Sequence, residues 1–363
     1  AKEFRIDFGD EGMKALKKKD PQADFRFWGG DLMQDVGGTL VKHYKELAFM
    51  GFIEVVMNLR TILKNITLCK KDITNYNPDV IIFVDYPGFN LRIAKWAKTE
   101  GYKTHYYISP QIWAWKEGRI KDIKRDVDAM YVILPFEKEF YEDKHNFPVH
   151  FVGHPLIDAI AQKQLINPSD FKAEFNLDNR PIIALLPGSR KQEISKMLEV
   201  MLSVTKDFKD YQFVIAGAPS QDAAFYSKFT KKQNVNLVMN RTYDILSLAT
   251  AALVTSGTAT LETALFKVPE VVCYKGSTIS YQIAKRVINL EYISLVNLIM
   301  DKPVVKELIQ GDFNTKTLKK ELSIILDETN RQNLFLDYYD LEKKLGGAGA
   351  SDKTAQLIVD AIS

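Results

Sequence analysis

TSGTATLETAL, Thr255–Leu265, follows directly on the apolar run AALV, Ala251–Val254. An unbroken apolar run, a Gly turn and a helix-compatible stretch read as strand, turn and helix, the repeating unit of α/β proteins with parallel sheets. The first N–H groups of a helix lack intrahelical acceptors, and its dipole favours negative charge at that end. Gly257 permits close backbone approach, while Ser256, Thr258 and Thr260 offer hydroxyl groups. Glu262, five residues after Gly257, suits ribose hydroxyls. A well-capped helix with Ser256 or Thr258 as N-cap accounts for the same residues.

The pattern repeats outward from this stretch. PIIALLPGSR (Pro181–Arg190), YQFVIAG (Tyr211–Gly217) and VVCYKG (Val271–Gly276) read as further strands of the second half. In the first half VIIFVD (Val80–Asp85), KTHYYIS (Lys103–Ser109), AMYVILP (Ala129–Pro135) and HFVG (His150–Gly153) do the same. The expected class is α/β, with a Rossmann-like domain over residues 1–160, a second over 161–340 and a cleft between them. The polar stretch Gln162–Arg180 is the expected linker. A C-terminal helical segment, broken at GGAGA (Gly346–Ala350), is expected to pack back on the first half through residues 341–363.

Composition narrows the classes. The 363 residues, 46% apolar and 26% charged, suit a globular chain of two domains. A net charge of +3 gives no electrostatic case for a nucleic-acid partner. Cys69 and Cys273 form no CxxC and read as buried apolar residues in a reducing setting. AKEFRIDFGDEG carries no secretory signal, and no GxxxxGK[ST] occurs, which argues against ATP-type phosphoryl transfer. Neither Asp126-Val127-Asp128, which directly precedes a strand, nor the five histidines suggest a metal site.

LPGSR supplies a second anion-friendly turn: Gly188, Ser189 and Arg190 follow a buried strand, where phosphate ligands commonly sit. An ordinary βα loop with a solvated Arg explains it equally well. Two such turns in one half suit a nucleoside diphosphate better than either alone. In VDYPGFN, Asp85 ends a strand and could take a proton from a hydroxyl, or merely cap the following helix. SPQIWAWKEGRIKDIKR places Trp113 and Trp115 beside the basic run Lys116, Arg119, Lys121, Lys124 and Arg125, either a lipid or phosphate surface or a solvated helix face. His154 lies at the domain junction, as a cleft residue or a structural one.

LAFMGFIEVVMNLRTILKNITLC, Leu47–Cys69, is more apolar than a surface helix needs, yet Glu54, Arg60 and Lys64 interrupt it as a membrane span. On a helix, Glu54, Asn58, Thr61 and Asn65 form one narrow polar stripe. Phe52, Val55, Val56, Leu59, Ile62, Leu63 and Ile66 then make a wide apolar face. It reads as a core helix, or as one lying in a bilayer surface or lining an acyl-chain groove.

Together GGDLM, LAFMGFIEVV, VDYPGFN, SPQIWAWKEGR, LPFEKEFY, FVGHPL, LPGSRKQEI, SGTATLE, SLVNLI and ELIQ make the chain resemble the lipid-A-disaccharide synthase family, inverting glycosyltransferases of the GT-B type. The resemblance runs from about Met13 to near the C-terminus. It implies a GT-B fold whose C-terminal domain holds most of a UDP-sugar. It also implies a reaction without metal or cofactor, joining UDP-2,3-diacylglucosamine to 2,3-diacylglucosamine 1-phosphate (lipid X). The products are the β-1,6 disaccharide and UDP. Asp85 matches the family's candidate base and Arg190 a donor-site Arg, while Asn297 and Gln310 match further cleft positions. A cytoplasmic enzyme peripheral on the inner membrane of Gram-negative bacteria is implied, and a homodimer stays open. The family's opening loop, of the form GExSGDxxG, does not align with AKEFRIDFGDEGMKALKKK, so Asp10 and Glu11 are not carried over as its acidic residues. Gly88 stands where many members have a second Asp, leaving Asp85 the only carboxylate of its motif. Other readings are a GT-B enzyme with a different UDP-sugar, a UDP-sugar 2-epimerase, or a catalytically silent UDP-lipid binding protein.

Overall fold

Apolar runs four to six residues long, bounded by Gly, Pro or polar turns, are buried on both faces when helices cover a parallel sheet. The computed structural model describes residues 8–46, 59–164, 166–231, 235–276 and 290–362. The chain divides into two compact units, Ala1–Ala159 with Leu345–Ser363, and Ile160–Lys344.

In the first unit β1 (Arg26–Gly29) pairs in parallel with β2 (Thr39–His43). β3 (Ile81–Val84), β4 (Thr104–Tyr107), β5 (Ala129–Val132) and β6 (His150–Phe151) form a four-stranded parallel sheet in chain order. Phe83, Ile93, Tyr106, Ile123, Met130 and Tyr141 fill its core. β4 is buried throughout, so its polar Thr104 needs partners. Its hydroxyl donates to the Asp126 carbonyl at 2.8 Å and its amide to Asp128 Oδ2 at 3.0 Å. Asp126-Val127-Asp128 is thus the turn that leads into β5 and ties it to β4.

The helix Ala350–Ile362 belongs to this unit. Asp158 caps it from a distant part of the sequence, accepting from the Gly349 amide at 2.6 Å and the Ser351 amide at 3.3 Å. Two glycines let the backbones meet there: a Cβ on Gly346, at φ +90°, would lie 3.1 Å from the Gly153 Cα.

In the second unit β7 (Ile182–Leu186), β8 (Gln212–Gly217), β9 (Val235–Met239), β10 (Ala249–Thr255), β11 (Glu270–Tyr274) and β12 (Lys306–Ile309) make one parallel sheet. Its order is β12-β11-β10-β7-β8-β9. Successive side chains of a strand face opposite sides, so each face builds its own core. Ile183 and Leu185 pack with Ile194, Leu198 and Leu318, whereas Ile182, Ala184 and Leu186 pack with Phe171 and Ile245. This is the doubly wound arrangement of a Rossmann-like sheet.

Two expectations change. Gln162–Arg180 is not a free linker: it holds the helix Pro168–Glu174, capped by Asn167, and buries Phe171 and Leu177 against β7. The apolar helix is seen as Leu59–Tyr76, longer at its end than Cys69. Phe52, Val55 and Val56 lie outside the described residues, as does the Leu59 side chain. The polar stripe is not on one exposed side, because Asn65 is buried while Leu63 is 52% exposed. Ile66, Cys69 and Ile73 contact the core, which turns Asn65 inward with them and leaves Leu63 outside. Among the described residues no helix is long and apolar enough to cross a membrane.

Losing the Asp158 cap leaves two helix-terminal amides without their carboxylate. Asp158→Ala should lower stability by about 1–3 kcal/mol, read as a reduced urea midpoint; an unchanged midpoint would contradict this role.

Candidate functional site

In the second unit the register sets the site. β10 and β7 are neighbours, with Val254 opposite Leu186. β10 and β7 run in the same direction, so TSGT and PGSR leave the sheet side by side at its carboxyl end. The strand order reverses between them, the switch point at which α/β sheets open a ligand crevice. β7 is followed by a helix on one face and β10 by a helix packed toward the other. Gly257 has φ 154° and ψ −161°, a region that side-chain-bearing residues rarely adopt, and it starts the helix Thr258–Leu265 without a side-chain cap. A Cβ there would meet nothing within 4 Å, so conformation and not space demands glycine. Arg190 is exposed at the start of the helix Lys191–Met201, with no ion pair to a described residue.

Several candidates are already engaged. Ser256 Oγ donates to the Ile293 carbonyl at 2.8 Å. Thr260 is buried and donates to the Gly257 carbonyl at 2.8 Å, so its hydroxyl braces the turn and does not face a ligand. The Ser189 amide is not free: it donates to Glu193 Oε2 at 3.2 Å, and that carboxylate lies 2.2 Å from a Cβ position on Gly188, which has φ +95°. Glu193 went unnoticed in the sequence, although its spacing four residues after Ser189 is that of a helix-start carboxylate. Ser220 and Gln221, following β8, hold the Ser189 carbonyl at 2.8 and 3.0 Å.

Glu262 is half-buried, and the Tyr243 hydroxyl donates to its Oε1 at 3.0 Å. Burial raises its pKa, opposed by that bond. Asn297 is buried at 1% exposure and spends its amide on the Val305 backbone and on Glu307, so it supports the loop. Gln310, just past β12, accepts from the Gly276 amide at 2.9 Å and holds the turn after β11. Thr258 stands half-buried at the first helical position.

In the first unit strain gathers at the carboxyl ends of β3 and β4. Asp85, Tyr86, Ile108 and Lys116 all have positive φ, from 43° to 62°. For a β-branched residue such as Ile108 this is costly, and such strain persists only where neighbours enforce it. Tyr106, fully buried, donates to the Asp85 carbonyl at 2.6 Å, and Asn90 Nδ2 donates to it at 2.7 Å. These bonds fix the Asp85 backbone and leave its residue exposed at the sheet end.

Glu137, also unnoticed in the sequence, clamps the neighbouring loops. Its fully buried carboxylate accepts from Ser109 Oγ at 2.6 Å, Trp113 Nε1 at 3.1 Å, and the Leu134 and Ile133 amides at 3.0 and 3.2 Å. Burial raises its pKa and these donors oppose the rise. Trp113 is therefore held in structure, edge-on to Phe136, whereas Trp115 is 46% exposed. His154 is 2% exposed, accepts from the Leu156 amide through Nδ1, and is no surface-lining residue. Of the basic run, Arg125 is taken up by Asp122 and Asp126.

Comparison with known proteins gives the family and the fold. The family described as Lipid-A-disaccharide synthetase matches residues 7–360. Relatives named lipid-A-disaccharide synthase include one from Geobacter metallireducens, 36% identical over 97% of this chain and 93% of that protein. Another, from Syntrophus aciditrophicus, is 38% identical over 96% and 92%. Among solved structures, an S. aureus MnaA–UDP complex aligns with TM-score 0.70 at 11% identity, covering 97% of this chain and 92% of that one. The glycosyltransferase SnogD from Streptomyces nogalater aligns at 0.57 and 16% identity, covering 99% and 96%. At such identities these structures speak to the GT-B fold alone.

Burial lowers the His154 pKa to about 3, against about 6.5 for the unfolded chain. Above pH 7 the group is neutral in both states. As pH falls from about 6.5 toward 3 the unfolded chain binds a proton that the folded one refuses, so stability falls by up to about 1.4 kcal/mol per pH unit. His154→Asn should reduce the slope of unfolding free energy between pH 6 and 4 by about one proton relative to the parent; identical slopes would show that His154 protonates in the folded state.

Proposed function

The chain belongs to the lipid-A-disaccharide synthetase family, and on that premise we propose that it joins UDP-2,3-diacylglucosamine to 2,3-diacylglucosamine 1-phosphate. The observation that carries the donor half is the pairing of Leu186 with Val254, which sets two anion-competent turns and the exposed Arg190 at one switch point. The diphosphate lies across these turns, with the N–H groups of the first turn of Thr258–Leu265 and Arg190 bearing the charge that grows on departing UDP. Glu262 accepts from the ribose. One such donor is typically worth about 10²–10³ in kcat.

The first unit supplies the acceptor chemistry. Asp85 takes the proton of the acceptor 6-hydroxyl as that oxygen attacks the anomeric carbon and the bond to UDP breaks, inverting the centre. Proton transfer by a placed carboxylate contributes about 10²–10⁴. Its strained backbone is fixed through the carbonyl by Tyr106 and Asn90, which roots the exposed side chain at the sheet end. The helix Leu59–Tyr76 exposes Leu63 and Leu68 among Arg60, Lys64 and Lys71, a face suited to an anionic bilayer surface. Each such cation adds about 1 kcal/mol near an anionic leaflet, and the enzyme works peripherally on the inner membrane. Family membership does not favour the epimerase reading, which the fold alone would allow.

Turnover with both lipid substrates and products resolved tests the proposal. Disaccharide 1-phosphate and UDP should form one to one, and Asp85→Asn should retain UDP affinity within about twofold while losing at least about 100-fold in kcat. UDP release without disaccharide would make the protein a hydrolase; near-normal turnover in Asp85→Asn would remove that residue from the role.

A further inference from the structure

The turn Trp115-Lys116-Glu117-Gly118-Arg119 follows β4 at the same sheet end as Asp85. Trp115 leaves a broad apolar face in solvent, and two cations gather on it: Lys116 Nζ lies 4.2 Å and Arg119 Cζ 5.9 Å from the ring centroid. Lys116 does so with its backbone at φ 58°, a conformation that a side-chain-bearing residue adopts only under constraint.

Charges around this turn are sorted in an uneven way. Glu117, its one carboxylate, points elsewhere: it lies 2.7 Å from Lys144 Nζ and 3.0 Å from His145 Nε2, and Lys144 lowers its pKa. Arg125 is spent on Asp122 and Asp126 at 2.9 and 2.6 Å. Lys116 and Arg119 are left with no carboxylate among the described residues. Two adjacent cations repel one another, so holding them on one indole without an anion is unfavourable until an anion arrives.

The turn is also tied to the proposed base. The phenol of Tyr106 feels Asp85 and Arg119 at once, the carboxylate opposing its ionisation and the guanidinium favouring it. That same hydroxyl donates to the Asp85 carbonyl at 2.6 Å. Because β3 and β4 pair in parallel, Asp85 and the Trp115 turn that follows β4 leave the sheet at the same end. An acceptor sugar carries its nucleophilic hydroxyl and its anomeric phosphate at opposite ends of a single pyranose ring. A carboxylate and, at the same sheet end, two cations on an exposed indole offer partners for both ends of that molecule.

We propose that Lys116 and Arg119, framing Trp115, form the subsite for the acceptor's anomeric phosphate and set the preference for a phosphorylated over a dephosphorylated acceptor. The proposal rests on the reading of this unit as the acceptor domain. Arg119 makes the stronger contact, because its planar fork can engage two phosphate oxygens, while Lys116 acts as a point charge. Trp115 supports the ring and keeps the cations in place.

Steady-state rates with 2,3-diacylglucosamine 1-phosphate and with the same lipid lacking phosphate, in nonionic detergent micelles free of phospholipid, test this. The parent should favour the phosphorylated acceptor. In Lys116→Ala/Arg119→Ala that preference in kcat/KM should fall by about 10- to 100-fold, mainly through acceptor KM, with donor KM moving far less. Arg119→Lys should recover part of the preference. A double variant that keeps the parent's preference, or loses both acceptors equally, would overturn the subsite. Binding to vesicles of zwitterionic lipid, with and without anionic lipid, separates the other source of phosphate. Loss of anionic-vesicle binding with acceptor preference intact would assign these cations to the membrane and overturn the proposal. Absence of disaccharide from the parent with either acceptor would instead sink the acceptor reading itself, and the subsite with it.

Discussion

The parallel pairing of β7 with β10 governs the second unit. Val254 sits opposite Leu186, and beyond that pair the two chains diverge into helices that cover different faces of the sheet. The backbone there consists of turns that need positive φ at Gly188 and Gly257. Pairing one residue out of register would turn Ile182–Leu186 inside out and dissolve both cores, so the crevice is fixed by the same burial that holds the sheet. The side-by-side placement of the two turns is a consequence of the core.

The first unit uses a different device. Its four-stranded sheet runs in simple chain order, β3-β4-β5-β6, with no reversal among the described residues. Backbone strain gathers there at Asp85, Tyr86, Ile108 and Lys116. Tyr106 and Asn90 hold the first turn, and Glu137 gathers Ser109, Trp113 and two backbone amides behind the second. A buried carboxylate with four donors is expensive to desolvate but costly to remove, which makes it a rigid anchor for loops that would otherwise be mobile.

How much of this the sequence discloses depends on which distances are local. The central strands were legible because continuous apolar runs have one use in such a chain, and so was the Gly257 turn. The edge strand Lys306–Ile309 was not read, since one of its sides lacks a neighbour and its polar Lys306 and Glu307 mask the pattern. Asp85 and Arg190 could be picked out as strand-end residues. What their neighbours do could not: Thr260, Asn297 and His154 looked like ligand groups, yet each is spent inside the fold. Asn297 is claimed by Val305 and Glu307, eight and ten residues on, whereas the Leu156 amide that bonds His154 Nδ1 and the Gly257 carbonyl that takes Thr260 lie two and three residues away. Glu193, occupying the Ser189 amide, is local as well. It lies four residues away and was a local feature left unread.

On the proposed reading PGSR and TSGT hold one diphosphate together. Hydrogen exchange with and without UDP measures this residue by residue. Exchange should slow at the amides of Ser189, Thr258 and Ala259, in both turns at the same UDP concentration, with the Ser189 effect reporting displacement of Glu193. Protection confined to one turn, or found instead along the groove beside Lys306–Ile309 and the helix Glu328–Lys344 while both turns exchange as before, would contradict it.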